Sequence, residues 1–572
     1  LDRIKHLLLL FVLISTQLGN AQQNIVVDET IYLHANASTF VSGETLLYKI
    51  YCLKSSDKTI SHISKIAYVE LVDSDKKSVF KAKIKLENAL GQGDYFIPTT
   101  LKTGSYKLVA YTNWMLNKPA SEFFQMDINI VNPYKTNEKT PNSNVLTGTS
   151  NTLESSVNAT DLNLRLNKKV FSSREHVDLK LESSNDNIKE GSYSLSVRKL
   201  DNIPTQNSIS ATNFATIPSN TVVLDATSKA VLPELRGEMI SGKVVSKSGT
   251  DKIQDVTVSF SLPGKSFVFQ VVKTNSEGRF IFSIDKENYN PNIIIQVIDE
   301  RADNYSIALD ELPSINTTQL AFSPNNNLSY TFKESLLDRA VSSQIENAYI
   351  HRKKDNLEKQ TTQDPFYATK AKEYVLDDYT RFKTLRETIT EVTTEVYHKE
   401  NNGVMHLHVT DPSVFPQLPD PALVLVDGLQ LQNQNDLLKY NMKNIYRIDL
   451  IVGRYYVGPK SFNGLVSFIT FDKDFASTQS GSSILKTTIL RPQLKKIYNN
   501  VDYTNLADNA RIPDFRNQLL WNPDVKLNKD SQTSFYTSDV AGNYEIRLEG
   551  FAKNGTPVSI KELIEVKDTA TN

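Results

Sequence analysis

His406 and His408 are the residues best spaced for metal chemistry. On a strand, positions i and i+2 share one face, so the pair offers two of the ligands that a zinc ion takes. Spacing supplies no third ligand, and the pair reads as two histidines on a strand face. Asp377 and Asp378 stand before a helical stretch, where a carboxylate caps free N–H groups; capping is the reading, not general acid–base work. Asp427 precedes Gly428, and this dipeptide builds a tight turn, so its carboxylate is a turn former. Gly264-Lys265-Ser266 ends like a phosphate loop, but Ser259 stands where the first glycine belongs and strands flank it. Neither H-E-x-x-H nor G-x-S-x-G occurs. The single cysteine, Cys52, excludes an intrachain disulfide and a cysteine metal cluster. It reads as a small buried apolar residue on a strand. No catalytic residue, cofactor or metal is assigned, and the expectation is a non-enzyme.

Aromatic residues are the stronger lead. In GRYYVG, Arg454, Tyr455 and Tyr456 lie in a loop between glycines, and Phe462 follows. Exposed aromatics beside an arginine are common interface anchors. The competing reading packs Tyr455 and Tyr456 inside their own domain, and the residues leave both open. Arg454, Tyr455, Tyr456 and Phe462 form the candidate partner interface.

These residues sit in the stretch that organises the chain, 420–475. Residues 422–426 are an apolar, β-branched run that reads as a buried strand. Asp427-Gly428 then turns the chain, 436–440 reads as a short helix, and 446–452 and 465–471 read as strands. With VLVDG, IDLIVG and FNGLVSFIT in this order, the stretch resembles the plug domain of TonB-dependent outer-membrane receptors. The resemblance implies a compact α/β unit that fills a β-barrel. Such a barrel needs many strands of about 9–11 residues. The residues after Phe475 are too few for one, which implies that the barrel belongs to another chain.

The composition fits this picture. The chain has 572 residues and a formal net charge of −1. That length predicts several domains, and near-neutral charge argues against nucleic acid, which wants a basic excess. Residues 1–21 read as a signal peptide: Arg3 and Lys5, then an apolar core at 7–14, then Gly19-Asn20-Ala21 before a cut at Gln22. No cysteine follows for lipid attachment, and no other stretch approaches a transmembrane helix. The expectation is a protein exported to the periplasm and associated with the outer membrane, with no transmembrane segment of its own.

The fold class expected is multidomain and mainly β, with Ig-like or macroglobulin-like sandwiches plus an α+β plug-like domain. Residues 22–131 alternate strands and turns; IYLHANASTFVSGETLLYKIY and GSYKLVAYTNWMLN resemble the MG2 (macroglobulin-like) domain of exported proteins. That family's Cys–Gln thioester is missing, because Leu53 follows Cys52, and this disfavours a protease-trapping inhibitor. Residues 132–160 are a polar linker. Residues 161–231 read as a second Ig- or macroglobulin-like sandwich, with 202–228 polar and looping out. Residues 232–333 resemble the non-catalytic carboxypeptidase regulatory-like sandwich, through ISGKV at 240–244 and NSEGRF at 275–280.

The segment 334–475 holds two predicted helices and the plug-like domain. One helix spans 334–360, with Leu337, Ala340, Val341, Ile345 and Tyr349 on its apolar stripe and a basic end. The other spans 377–400. Residues 476–572 give an extended segment and a C-terminal β domain. The arrangement is similar to that of the plug subunit of the type 9 secretion translocon. It implies a non-enzymatic periplasmic protein that docks on an outer-membrane β-barrel (a translocon or transporter) and occludes its pore. The alternative is a surface or periplasmic binding or adhesion protein for glycan or peptide, associated with TonB-dependent uptake.

Overall fold

Alternating apolar residues dominate the chain, and they fold as strands. The computed structural model describes residues 25–135, 161–225, 229–322, 332–359, 361–417, 419–473, 475–504, 511–527 and 532–568. The expected signal peptide at 1–21 and most of the linker at 132–160 lie outside them. The chain divides into two units, Leu1–Pro233 with Ile315–Asn356 and Lys495–Asn572, and Glu234–Ser314 with Leu357–Leu494.

The first unit contains two sandwiches. In one, the strands Thr30–Ala35, Thr45–Leu53 and Leu90–Phe96 form a three-stranded sheet. It faces a five-stranded sheet running Thr39–Val41, Phe124–Val131, Gly104–Tyr111, Ile66–Asp73 and Ser78–Lys85. Leu33, Ile50, Val69, Leu108 and Ile128 fill the space between. Cys52 is buried here; burial, then Glu29, pushes its thiol well above the ordinary range.

The second sandwich joins segments that the sequence reading placed in separate units. Leu162–Leu166, His176–Ser183 and Gln532–Tyr536 make one sheet. Val170–Ser172, Pro557–Lys567, Gly542–Phe551, Ser192–Lys199 and Gln518–Val525 make the other. The reason lies in Ser192–Lys199, which is buried on both faces through its middle. Tyr193, Leu195 and Val197 enter the core. Its two edges are paired by Gln518–Val525 and Gly542–Phe551, both from the C-terminal segment. Nor does 202–228 simply loop out. Ala211–Thr216 is a short helix whose Ala211 and Phe214 join the first sandwich's core, and Val222–Leu224 pairs with Ile25–Val27.

The second unit starts with a sandwich. Arg279–Ile284, Glu238–Ser246 and Tyr305–Leu309 oppose Val268–Lys273, Thr257–Leu262, Asn292–Val297 and Ile484–Thr488. The last of these strands comes from the segment read as extended. Its α/β part is a five-stranded sheet in the order Lys372–Val375, Ile445–Val457, Lys460–Thr470, Leu423–Val426 and Leu429–Gln430. Leu423–Val426 runs parallel to Lys460–Thr470, and the other pairs are antiparallel. Asp427 and Gly428 take φ of 48° and 87°, the two positive values that a tight hairpin turn requires. A Cβ on Gly428 would stand 2.3 Å from Phe267 Cγ, so the turn also needs glycine for space.

Both predicted helices are shorter than the sequence reading. The first covers Lys333–Ala348. The second is Leu385–Glu391, capped by Thr384 and Glu387 in a capping box, so Asp377 and Asp378 do not cap it. They lie in the 3₁₀ turn Leu376–Asp378, where Asp377 pairs with Arg381. The β-branched residues Val392, Thr393 and Thr394 end the helix, because they crowd the preceding turn. Val396–Asn401 then forms a hairpin with Val404–Val409.

Candidate docking surface

The GRYYVG segment lies within a long hairpin, not in a loop. Ile445–Val457 pairs with Lys460–Thr470, with Arg454 opposite Asn463, Tyr455 opposite Phe462 and Tyr456 opposite Ser461. Two glycines shape it. Gly453, at φ +87°, sits in a register shift between Ile451 and Arg454. The bulge lets the strand bend and re-aims its side chains. Gly458 turns the chain at φ +54°, with a virtual Cβ only 2.1 Å from the Val271 carbonyl oxygen.

This geometry splits the four candidate residues. Phe462 is 7% exposed and sits in a cluster with Phe267, Phe269 and Val457. Tyr455 is half-buried against the same cluster, its ring 6.3 Å from that of Phe366. Arg454 and Tyr456 point the other way; Arg454 is exposed and Tyr456 is 64% exposed. Val452, which the sequence reading passed over, shares their exposure. Its signal was present: positions 452, 454 and 456 fall on one face once the segment is read as a strand.

The strand's outer edge is only partly paired. Lys372–Val375 covers only residues 447–450 of it. Past Leu450, no strand pairs with that edge among the described residues. A strand edge without a partner strand, beside exposed side chains, is what strand addition uses.

A buried charge cluster holds the base of this hairpin. Asp449 is buried, and the Tyr367 hydroxyl donates to its Oδ2 at 3.1 Å. Arg447 brings Nε to 2.8 Å from Oδ1 without hydrogen-bond alignment, and Nη2 donates to Oδ2 at 3.2 Å. Burial raises the Asp449 carboxyl, and Arg447 only partly opposes it. Arg447 also reaches Glu373 on the edge strand at 3.2 Å, which ties that short strand to the hairpin.

His406 and His408 do share a strand, opposite Lys399 and Tyr397. His408 is buried and stacks on Tyr397 at 5.3 Å, and burial lowers both imidazoles. No group of three or more His, Cys, Asp or Glu side chains that could hold a metal ion is found among the described residues. No helix among them is long and apolar enough to cross a membrane.

The sequence reading missed a cleft in the first unit. Helix Lys333–Ala348 forms one wall, and loops around 199–202, 515–517 and 539–541 form the rest; the cavity is about 540 Å³. No single segment signals it, because its walls come from four separate parts of the chain.

No protein-family model matches the chain, and no curated protein matches it. Among solved structures, elastase-activated α2-macroglobulin of Escherichia coli shares 8% identity over 94% of this chain and 44% of its own, at a TM-score of 0.24. The native conformation of the E. coli protein shares 9% identity, covering 95% and 40%, also at 0.24. Dimeric latent PorU of Porphyromonas gingivalis shares 8% identity, covering 50% and 33%, at 0.16. The chain spans less than half the length of the macroglobulins it overlaps. At TM-scores this low, the architecture rests on the sheets described above: many-sheeted, mainly β, with several modules.

Proposed function

We propose that this protein is a non-enzymatic docking protein of the bacterial envelope. It is exported, works in the periplasm at the outer membrane, and seats its α/β part on a β-barrel made by another chain. There it caps or fills the pore, in the manner of a TonB-receptor plug or the plug subunit of the type 9 secretion translocon. One observation carries this reading: Val452, Arg454 and Tyr456 stand exposed along a strand whose edge, past Leu450, has no partner strand among the described residues. An aromatic and an arginine supply contact area and directional hydrogen bonds, and the free edge supplies main-chain bonds. Phe462 and Tyr455 act from behind, packing the strand so that its outer face keeps its shape.

Co-purification tests this. The double variant Arg454→Glu, Tyr456→Ser keeps its fold, because both side chains lie outside the core. From detergent-solubilised outer membranes it recovers at least about tenfold less barrel protein than the parent, the size expected for losing central anchors. Equal recovery by parent and variant overturns the assignment of this strip.

A further inference from the structure

The most exposed large apolar side chain among the described residues is Phe415, at 97%, and the next is Tyr456, at 64%. A single apolar side chain in water is ordinary. Two beside one face of one hairpin are not, and the structure brings them there. Arg454 and Tyr456 lie opposite Asn463 and Ser461, and residues directly opposite on paired strands project to the same side. Asn463 donates its side-chain amide to the Asp420 carbonyl at 3.2 Å. On the same hairpin, a Cβ at Gly453 would stand 3.2 Å from Asp411 Oδ2. The chain on either side of Phe415 is therefore fastened to the face from which Arg454 and Tyr456 project.

The ring is also held ready. Gln417 clasps the loop 411–417: its Oε1 accepts from the Asp411 amide at 2.8 Å, and its Nε2 donates to the carbonyls of Asp411 at 2.8 Å and Val414 at 2.6 Å. The Ser413 amide and hydroxyl donate to Asp411 Oδ1 at 2.9 and 2.6 Å. The loop thus spends these polar groups on itself and leaves Pro412, Phe415 and Pro416 exposed. A clasped loop has little freedom left to lose on binding. An aromatic ring at its tip brings a large contact area.

We propose that Phe415 and Tyr456 grip one extended segment of the barrel chain, lying along the edge that has no partner strand past Leu450 among the described residues. That edge selects the occupant. Main-chain hydrogen bonds to a strand edge come from a polypeptide in extended form, which a lipid or a helix does not offer. In such a segment alternate side chains face one side, and those on this side are apolar, against Phe415 and Tyr456. The proposal rests on the docking reading above and deepens it: it names the form of the partner segment and adds an anchor outside the hairpin.

Four forms of the full-length protein test it: the parent, Phe415→Ser, Phe415→Leu, and Val223→Ser, which alters an exposed apolar side chain in the other unit. Each is incubated with detergent-solubilised outer membranes, and the recovered β-barrel protein is measured. Phe415→Ser recovers at least about tenfold less than the parent, the size expected for losing a central aromatic anchor. Phe415→Leu and Val223→Ser recover as much as the parent. All four melt alike, because neither side chain lies in a core. In the recovered complex, the amides across 451–457 exchange more slowly than in the free protein. Equal recovery by Phe415→Ser and the parent overturns the Phe415 anchor and leaves the docking reading standing, whereas no recovery by the parent overturns both. Unchanged exchange across 451–457 overturns the extended segment. Phe415-dependent sedimentation with protein-free liposomes of outer-membrane lipid assigns the loop to lipid and overturns the proposal.

Discussion

At the scale of single residues, buried polar groups in the first unit are mostly satisfied, and the exceptions are informative. Glu549 is fully buried and accepts from the Ala211 amide at 2.7 Å, the Ser559 hydroxyl at 2.6 Å and Arg547 at 2.7 Å. His34 is different. Its Nδ1 lies 2.7 Å from the Ser194 hydroxyl, but its Nε2 has no hydrogen-bond partner, and its ring stands 5.2 Å from that of Trp521. Burial, and then Arg547, hold its pKa well below the usual value. The unfolded chain takes up a proton near pH 6.5 where the folded chain does not, so stability is full above that pH and falls below it. Between pH 7 and 5, a His34→Gln variant therefore loses less melting temperature than the parent. A parallel fall in both proteins would place the acid sensitivity elsewhere. Glu44 loses its contribution in a lower window. Burial raises its carboxyl, but Arg339 and Arg198 outweigh burial and hold it below the usual range. None of these partners was legible in the sequence, since His34 and Ser194 are 160 positions apart.

At the scale of elements, local signals were readable and choices of partner were not. The strand 422–426, the Asp427-Gly428 turn and the short helix that follows all came from neighbouring residues. The helix over 333–348 shows the limit. Its apolar stripe was visible, but periodicity names a face without saying what that face meets. The structure docks the opposite face through polar contacts: Arg339 to Glu44, Asn347 to the Gly43 carbonyl, and Ser343 close to Gly43. Such a helix depends on its ion pairs more than on apolar burial. Replacing Arg339 by Ala leaves Glu44 buried with Arg198 alone. The expected cost is about 3 kcal/mol, as for a broken buried pair. Urea denaturation reads the loss, and hydrogen exchange places it across 333–348. An unchanged midpoint with unchanged exchange would mean that other contacts hold the helix. GRYYVG likewise reads as a loop because glycines punctuate it. In the structure one glycine makes a bulge and the other a hairpin turn, and strand pairing runs through both sides.

At the scale of the whole molecule, the mainly β character and the several modules were evident from alternation alone. The way the modules share strands was not. Ser192–Lys199 recruits partners more than 300 positions later, and Asn292–Val297 takes an edge strand from beyond the α/β part. Long-range pairing of this kind leaves no local mark, so each half looked like a unit of its own. In the function proposed above, β modules carry an α/β part that meets a barrel. The most direct test is photocrosslinking in intact cells, with a benzophenone amino acid placed at position 456 and, as control, at 455. From 456, the account predicts one dominant adduct with an outer-membrane β-barrel protein, and little or none from the inward-facing 455. A protein that yields no adduct from 456 and runs as a partnerless monomer from its native envelope would contradict it.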